Sequence, residues 1–246
     1  MKKKILALCL VVALMATAIA GATLAYFNDV TEEVKNTFTM GKVDIELTEP
    51  SWEPEDNNIM PGVVIEKDPT ITVADKSEDC YVFLDVTVNK FNSLAWVMAK
   101  YAGVADQYMP NGKFSSTAFL QAVNTDKALR MEVVDAWFEG VKHENWAIKF
   151  VEPGVDYMTI RLAYIGAGDP ILSQNEKVTF MTAFHMPEGV TDEMIAAGVT
   201  EGKMANAFNT DAAKFEMTFK AHAIQKAELD SVNAAYKAMF GADPMF

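Results

Sequence analysis

Residues 81–89, YVFLDVTVN, decide the fold class of this chain. Apolar side chains recur there at every second position, at Val82, Leu84, Val86 and Val88. Because successive side chains of a β-strand point to opposite faces, this period of two predicts a strand. The other elements are expected to pair with this strand or to pack on it.

Alternation with a period of two returns in other short stretches separated by turns. These stretches are residues 43–47, 71–73, 146–151, 157–164, 178–186 and 215–223. No repeating strand–helix–strand order connects them, so the pattern predicts a mainly β fold, an antiparallel β-sandwich.

Residues 91–140 have a different character. Alanine, leucine, methionine and charged residues recur there at helical spacing, with a break at Pro110-Asn111-Gly112. This predicts a helical insertion between strands. Its aromatic residues could hold a ligand, but their spacing favours the buried face of the helices. They are Trp96, Trp137 and Phe138.

Two further helices are predicted from their end signals. Thr191 is a suitable N-cap for a short helix over residues 191–199. A C-terminal helix over residues 230–239 is expected to end at Gly241, because glycine readily adopts the left-handed conformation that closes a helix.

The first 25 residues have the layout of a secretory signal peptide. A basic head, Lys2 to Lys4, precedes an apolar run over 5–19 and a small-residue tail over 20–25. A retained membrane anchor is the alternative, but the run is shorter than the roughly 20 residues that span a bilayer. Cleavage after Ala25 is predicted, which makes Tyr26 the first mature residue and limits membrane contact to the precursor.

Charge and cysteine content narrow the classes of function. The formal charge is −13, and the signal carries three lysines and no acid, so the mature chain has −13 − 3 = −16. Such a chain should repel nucleic acid and anionic lipid. Cys9 leaves with the signal, and Cys80 then has no partner for an intrachain disulfide. Cys80 is expected to be a half-buried small apolar residue.

Residues 26–38 form a predicted N-terminal arm ahead of a single domain over 39–246. Its apolar residues are Phe27, Val30, Val34 and Phe38. Spacing by four fits one face of a helix, and it also places all of them except Phe27 on one side of an extended strand. Periodicity alone leaves both conformations open.

Catalytic motifs are absent from the sequence. His143-Glu144 lacks a second histidine at helical spacing, so no H-E-x-x-H zinc site is formed. His185 and His222 lie in predicted strands and could share a metal with a carboxylate, although exposed strand histidines are the usual case. The chain has no nucleophile elbow, phosphate-binding glycine loop or C-x-x-C pair. We predict no catalytic residue and no cofactor.

Several segments, in order along the chain, resemble the TasA/camelysin family of secreted biofilm-matrix proteins, which are exported with a SipW-type signal peptidase. GATLAYFNDV at 21–30 is similar to that family's signal end and mature start, and NTFTMGKVD at 36–44 to its entry into the first strand. IMPGVVIEKDP at 59–69, followed by Tyr81-Val82, is similar to a later series. Further matches are Trp146, EKVT at 176–179 and AIQ at 223–225. The insertion over 91–140 has no counterpart.

The resemblance implies a jelly-roll-like β-sandwich that is secreted from a Gram-positive-type bacterium to its extracellular matrix or cell surface. It implies a subunit of biofilm fibres, in which the freed N-terminus of one copy completes a sheet of the next. Residues 26–38 are then the candidate donor strand, and Phe27, Val30, Val34 and Phe38 are the candidate pocket fillers. The implied partners are other copies, an accessory matrix protein and, during export, the signal peptidase.

Two other functions stay open at this point. The family name camelysin carries a metalloprotease activity, for which His143, His185 and His222 are the candidate ligands. The chain could also be a monomeric secreted binding module whose pocket is the helical insertion.

Overall fold

The computed structural model describes residues 28–30, 42–52, 61–89, 91–151, 157–191, 194 and 216–242, with only the main chain considered for 28–30 and 91–93. The strands are β1 (Asn28–Val30), β2 (Ile45–Thr48), β3 (Val64–Glu66), β4 (Thr70–Val73), β5 (Cys80–Asn89), β6 (Phe138–Glu139), β7 (Trp146–Phe150), β8 (Tyr157–Tyr164), β9 (Lys177–Thr179), β10 (Ala183–His185) and β11 (Met217–Gln225). The α-helices are α1 (Phe91–Tyr101), α2 (Ser116–Thr125), α3 (Lys127–Trp137) and α4 (Val232–Phe240).

The strands form three sheets. The largest has the order β1-β11-β5-β8-β7, and two three-stranded sheets have the orders β2-β4-β9 and β3-β10-β6. Every pair of these strands is antiparallel. The predicted antiparallel β fold is therefore confirmed, while its jelly-roll connection stays a prediction.

Strand β5 lies at the centre of the largest sheet and is covered on both faces. Its Val82, Leu84, Val86 and Val88 join the main core with residues of both smaller sheets, and Phe83 packs against α4 on the other face. Cys80 was predicted to be half-buried, which is wrong: it is fully buried. Its main chain exchanges two hydrogen bonds with Leu172, so the start of β5 is covered by another segment.

The helical insertion is part of the core. Helices α1, α2 and α3 contribute to the same hydrophobic cluster as β5 and β8. Trp96, Trp137 and Phe138 are all buried in that cluster, as their spacing predicted. Phe138 itself begins β6, one residue after α3 ends.

The stretch 178–186 was predicted to be one strand, and the structure corrects this. Strand β9 belongs to the sheet with β4, whereas β10 belongs to the sheet with β3 and β6. Between them Phe180 and Met181 are both buried, although they are consecutive. The chain crosses from one sheet to the other at this point, and both side chains are covered there.

Both predicted helix signals are present in the described residues. Thr191 Oγ1 accepts a hydrogen bond from the Met194 amide, as an N-cap does, and the remainder of the predicted 191–199 helix lies outside the described residues. Helix α4 begins after its N-cap Ser231 and ends at Gly241, which has φ +64°. In the parts of the chain that the structure describes, no helix is long and apolar enough to cross a membrane.

Candidate assembly interface

Part of the predicted N-terminal arm is a strand at the border of the largest sheet. Strand β1 pairs with β11, with Asn28 opposite Ile224, Asp29 opposite Ala223 and Val30 opposite His222. Strand β5 pairs with the other side of β11. The main chain of Val30 is thus placed in this strand. The other residues predicted for the cleavage site and the arm lie outside the described residues, and their roles stay predictions: Ala25, Tyr26, Phe27, Val34 and Phe38.

The hydrogen-bond direction of β11 shows which residues face the arm. The Lys226 amide donates to the Asp79 carbonyl at 2.8 Å, and the Asn89 amide donates to the Glu216 carbonyl at 3.2 Å. Even-numbered residues of β11 therefore direct their main chain toward β5. Because main-chain direction alternates along a strand, Ala223 directs its N–H and C=O toward β1, where Asp29 lies opposite.

A charged cluster lies behind this border strand. Arg161 of β8 donates two hydrogen bonds to Asp85 of β5, from Nε and Nη2, both at 2.7 Å. His222 of β11 places Nε2 3.4 Å from Asp85 Oδ2, and the geometry of this contact does not make a hydrogen bond. The cluster therefore connects β11, the strand that pairs with the arm, to its neighbour β5 and to β8 on the far side of β5.

The electrostatics of this cluster are set by burial and by Arg161. Burial alone raises the pKa of Asp85, but the hydrogen bonds and charge of Arg161, with His222 nearby, hold that pKa below its ordinary value. The pKa of Arg161 is raised by Asp85 despite its own desolvation. Both groups are thus held in their charged forms.

Helix α4 covers the cluster. The Phe240 ring lies 3.6 Å from the guanidinium carbon of Arg161, and its centroid is 5.3 Å from that of His222. His222 was expected to be exposed, and this is wrong: the residue is 8% exposed because the helix packs over its face of the sheet. Sequence reasoning also missed Asp85 and Arg161, whose signal was a charged residue inside each of two apolar strands.

The three histidines do not converge on one site. His143 Nε2 lies 2.6 Å from Asp135 Oδ1, and His185 Nδ1 lies 3.5 Å from Glu139 Oε1. His222 has its own carboxylate, Asp85. Among the described residues, no three histidine, cysteine or acidic side chains form a cluster that could hold a metal ion. The described donors therefore do not fit the ligand set of a metallopeptidase.

Comparison with known proteins identifies the N-terminal part of the chain. Residues 1–89 match the family model described as camelysin metallo-endopeptidase. Over these residues the chain is similar to the camelysin family. The match confirms the family that the sequence motifs indicated, and it supports an extracellular or cell-surface protein.

The camelysin match ends at Asn89, the last residue of β5. It includes the predicted signal, the arm and strands β1 to β5, whereas the helical insertion and strands β6 to β11 lie beyond it. No curated protein and no solved structure matches the chain. The functional reading of the later elements therefore depends on their own geometry.

Proposed function

We propose that this protein is a secreted structural subunit of extracellular matrix fibres, assembled when the mature N-terminal arm of one copy adds to β11 of the next. The observation that carries the proposal is the antiparallel pairing of Asn28–Val30 with residues 222–224 at the border of the largest sheet. Within its own chain, this segment of the arm already pairs with β11 in the way that an added strand would.

Strand addition of this kind depends mainly on the main chain. Hydrogen bonds between strands supply the affinity, and the side chains add selectivity. An arm from another copy makes the same contacts with β11 as the chain's own arm, so exchange replaces one set of bonds by an equal set. A head-to-tail contact between different surfaces produces an open filament when its rotation does not close into a ring.

The register makes the proposal specific. In each described pair of β1 and β11 the residue numbers sum to 252, as in 30 + 222. If the donor strand continues in this register, Val34 falls opposite Thr218 of the accepting copy. Cleavage after Ala25 would make Asn28 the third residue of the mature chain, so that β1 begins close to the new N-terminus.

Electron microscopy of the mature protein, residues 26–246, tests the proposal. Deleting residues 26–38 is expected to abolish filaments. A sharper pair of variants is Asp29→Pro and Val30→Pro. Proline removes the N–H that Asp29 directs toward β11, whereas the N–H of Val30 points away from that strand. Asp29→Pro is expected to abolish filaments, whereas Val30→Pro is expected to keep them. Unchanged filaments after the deletion would sink the proposal.

The metallo-endopeptidase description of the matched family calls for a parallel assay. Metal analysis and casein hydrolysis, with and without a chelator, are measured on the same mature preparation. The structural proposal expects no chelator-sensitive hydrolysis. Activity that disappears both with the chelator and in His185→Ala would favour a metallopeptidase instead.

A further inference from the structure

The far border of the largest sheet, opposite β1, is strand β7. The Val151 amide donates to the Thr159 carbonyl at 2.8 Å, so residue 151 directs its main chain toward β8. Phe150 therefore directs its N–H and C=O outward, where another strand could pair. Strand β7 therefore directs main-chain groups away from the sheet, as β11 does on the side where the arm pairs. A sheet with two such borders can accept a strand at either one.

The side chain of Asn124 occupies this outward position. Asn124 Nδ2 donates to the Phe150 carbonyl at 2.7 Å, and the Phe150 amide donates to Asn124 Oδ1 at 2.8 Å. A primary amide has a donor and an acceptor, so it makes the same two hydrogen bonds as the main chain of a neighbouring strand.

Asn124 is held in place by the corner between α2 and α3. Its own carbonyl accepts a hydrogen bond from Arg130 Nη1 at 2.8 Å. The preceding residue, Val123, is fully buried. Two residues later, Asp126 caps α3 by accepting from the Ala128 and Leu129 amides. The side-chain amide is thus fixed between a buried anchor and the start of a second helix.

We propose that the helical insertion blocks strand addition at β7 through Asn124, so that the arm of a second copy adds to the largest sheet only at β11. This inference depends on the proposed function for its biological meaning. It gives the insertion a role in assembly, because a subunit with one accepting border grows a linear chain, whereas two accepting borders allow branching.

The test uses the mature chain with Asn124→Ala, compared with wild type and with Gln121→Ala. Gln121 is an exposed amide residue on the same helix, so its replacement controls for loss of a polar side chain from α2. Hydrogen exchange by NMR is expected to show the Phe150 amide exchanging about tenfold faster in Asn124→Ala, the factor expected for loss of one protecting hydrogen bond. Gln121→Ala is expected to match wild type.

Analytical ultracentrifugation then tests whether β7 accepts a strand once the Asn124 side chain is removed. Asn124→Ala is expected to associate at concentrations where wild type and Gln121→Ala are monomeric, and its filaments to branch. Faster exchange at Phe150 without added association, or association equal in both variants, would overturn the inference. If Asn124→Ala does not fold, Asn124→Asp serves instead, since it keeps the side-chain size but places a carboxylate against the Phe150 carbonyl.

The two proposals fail separately. If wild type forms no filaments, the proposed fibre function fails, and sedimentation of the Asn124 variants against wild type still decides whether β7 is a blocked border. If wild type forms filaments and the Asn124 variants form the same unbranched ones without added association, only the role of the insertion is contradicted.

Discussion

Replacing Asp85 by leucine leaves the Arg161 guanidinium without its partner beneath Phe240. The two side chains are 11% and 16% exposed, and both hydrogen bonds between them measure 2.7 Å. Breaking a buried pair by removing one partner costs roughly 3–5 kcal/mol, and the residual exposure places this case at the lower end, about 3 kcal/mol. For a chain of this size, that loss lowers Tm by about 7 °C.

Thermal and urea unfolding of the mature protein, followed by circular dichroism, measure this loss. Asp106→Ala is the matched control, because Asp106 pairs with Lys100 at 3.6 Å while its side chain is 90% exposed. That change is expected to cost below about 1 kcal/mol. The double variant Asp85→Leu/Arg161→Met should recover most of the loss, since neither charge is then left alone.

The same variants have a predicted pH dependence. The folded pKa of Asp85 lies below its unfolded value. The stability due to the pair is therefore present above the unfolded pKa, about 4, and is lost as pH falls through the folded pKa. The double variant should lack this component of acid destabilisation. A single Asp85→Leu change as mild as Asp106→Ala would refute the assigned role of the pair.

Three other changes have expected outcomes. Gly140→Ala should destabilise the protein by about 2 kcal/mol in urea unfolding, because residue 140 has φ +72° and a Cβ there would lie 2.5 Å from Thr182 Oγ1. Gly112→Ala is the control: residue 112 has φ +71° but open space around a Cβ, so its replacement should destabilise the protein less. Burial, with the Asp79 charge, raises the pKa of the Cys80 thiol to about 12. A disulfide reagent at pH 8 should therefore react with Cys80 only after denaturant is added. Rapid reaction of the folded protein would contradict the burial of this thiol. Ser231→Ala should cost about 1 kcal/mol in the same unfolding assay, because the Ala234 amide loses its cap at 3.2 Å, and no change would mean that the cap is dispensable.

Local patterns predicted much of the fold. Strand β5 was predicted from alternation alone, and the end of α4 from Gly241, because each signal lies within the element it specifies or directly beside it. The camelysin-like motifs over residues 21–30, 36–44 and 59–69 likewise lie within the matched residues 1–89, whereas those at Trp146, 176–179 and 223–225 lie beyond the match. Periodicity left the arm open between helix and strand, and the structure places Asn28–Val30 in a strand.

Such local patterns do not predict contacts between residues that are distant in the sequence. Asp85 and Arg161 are 76 positions apart, and Asn124 and Phe150 are 26 apart, so only the assembled sheet brings them together. The burial of His222 depends on α4, which follows it in the sequence. The division of 178–186 into β9 and β10 depends on which sheet each half joins, and alternation within the segment does not specify that.

A disulfide between two different chains tests whether the arm of one copy pairs with β11 of another. One mature protein carries Asn28→Cys and another carries Ile224→Cys, two positions directly opposite each other in the β1–β11 register. Opposed positions in antiparallel strands have the Cα separation that a disulfide requires. After the two proteins assemble together and are oxidised, we expect a crosslinked heterodimer on a non-reducing gel, and no such band when Lys177→Cys replaces Ile224→Cys. Filaments that form without this crosslink would contradict arm exchange at β11.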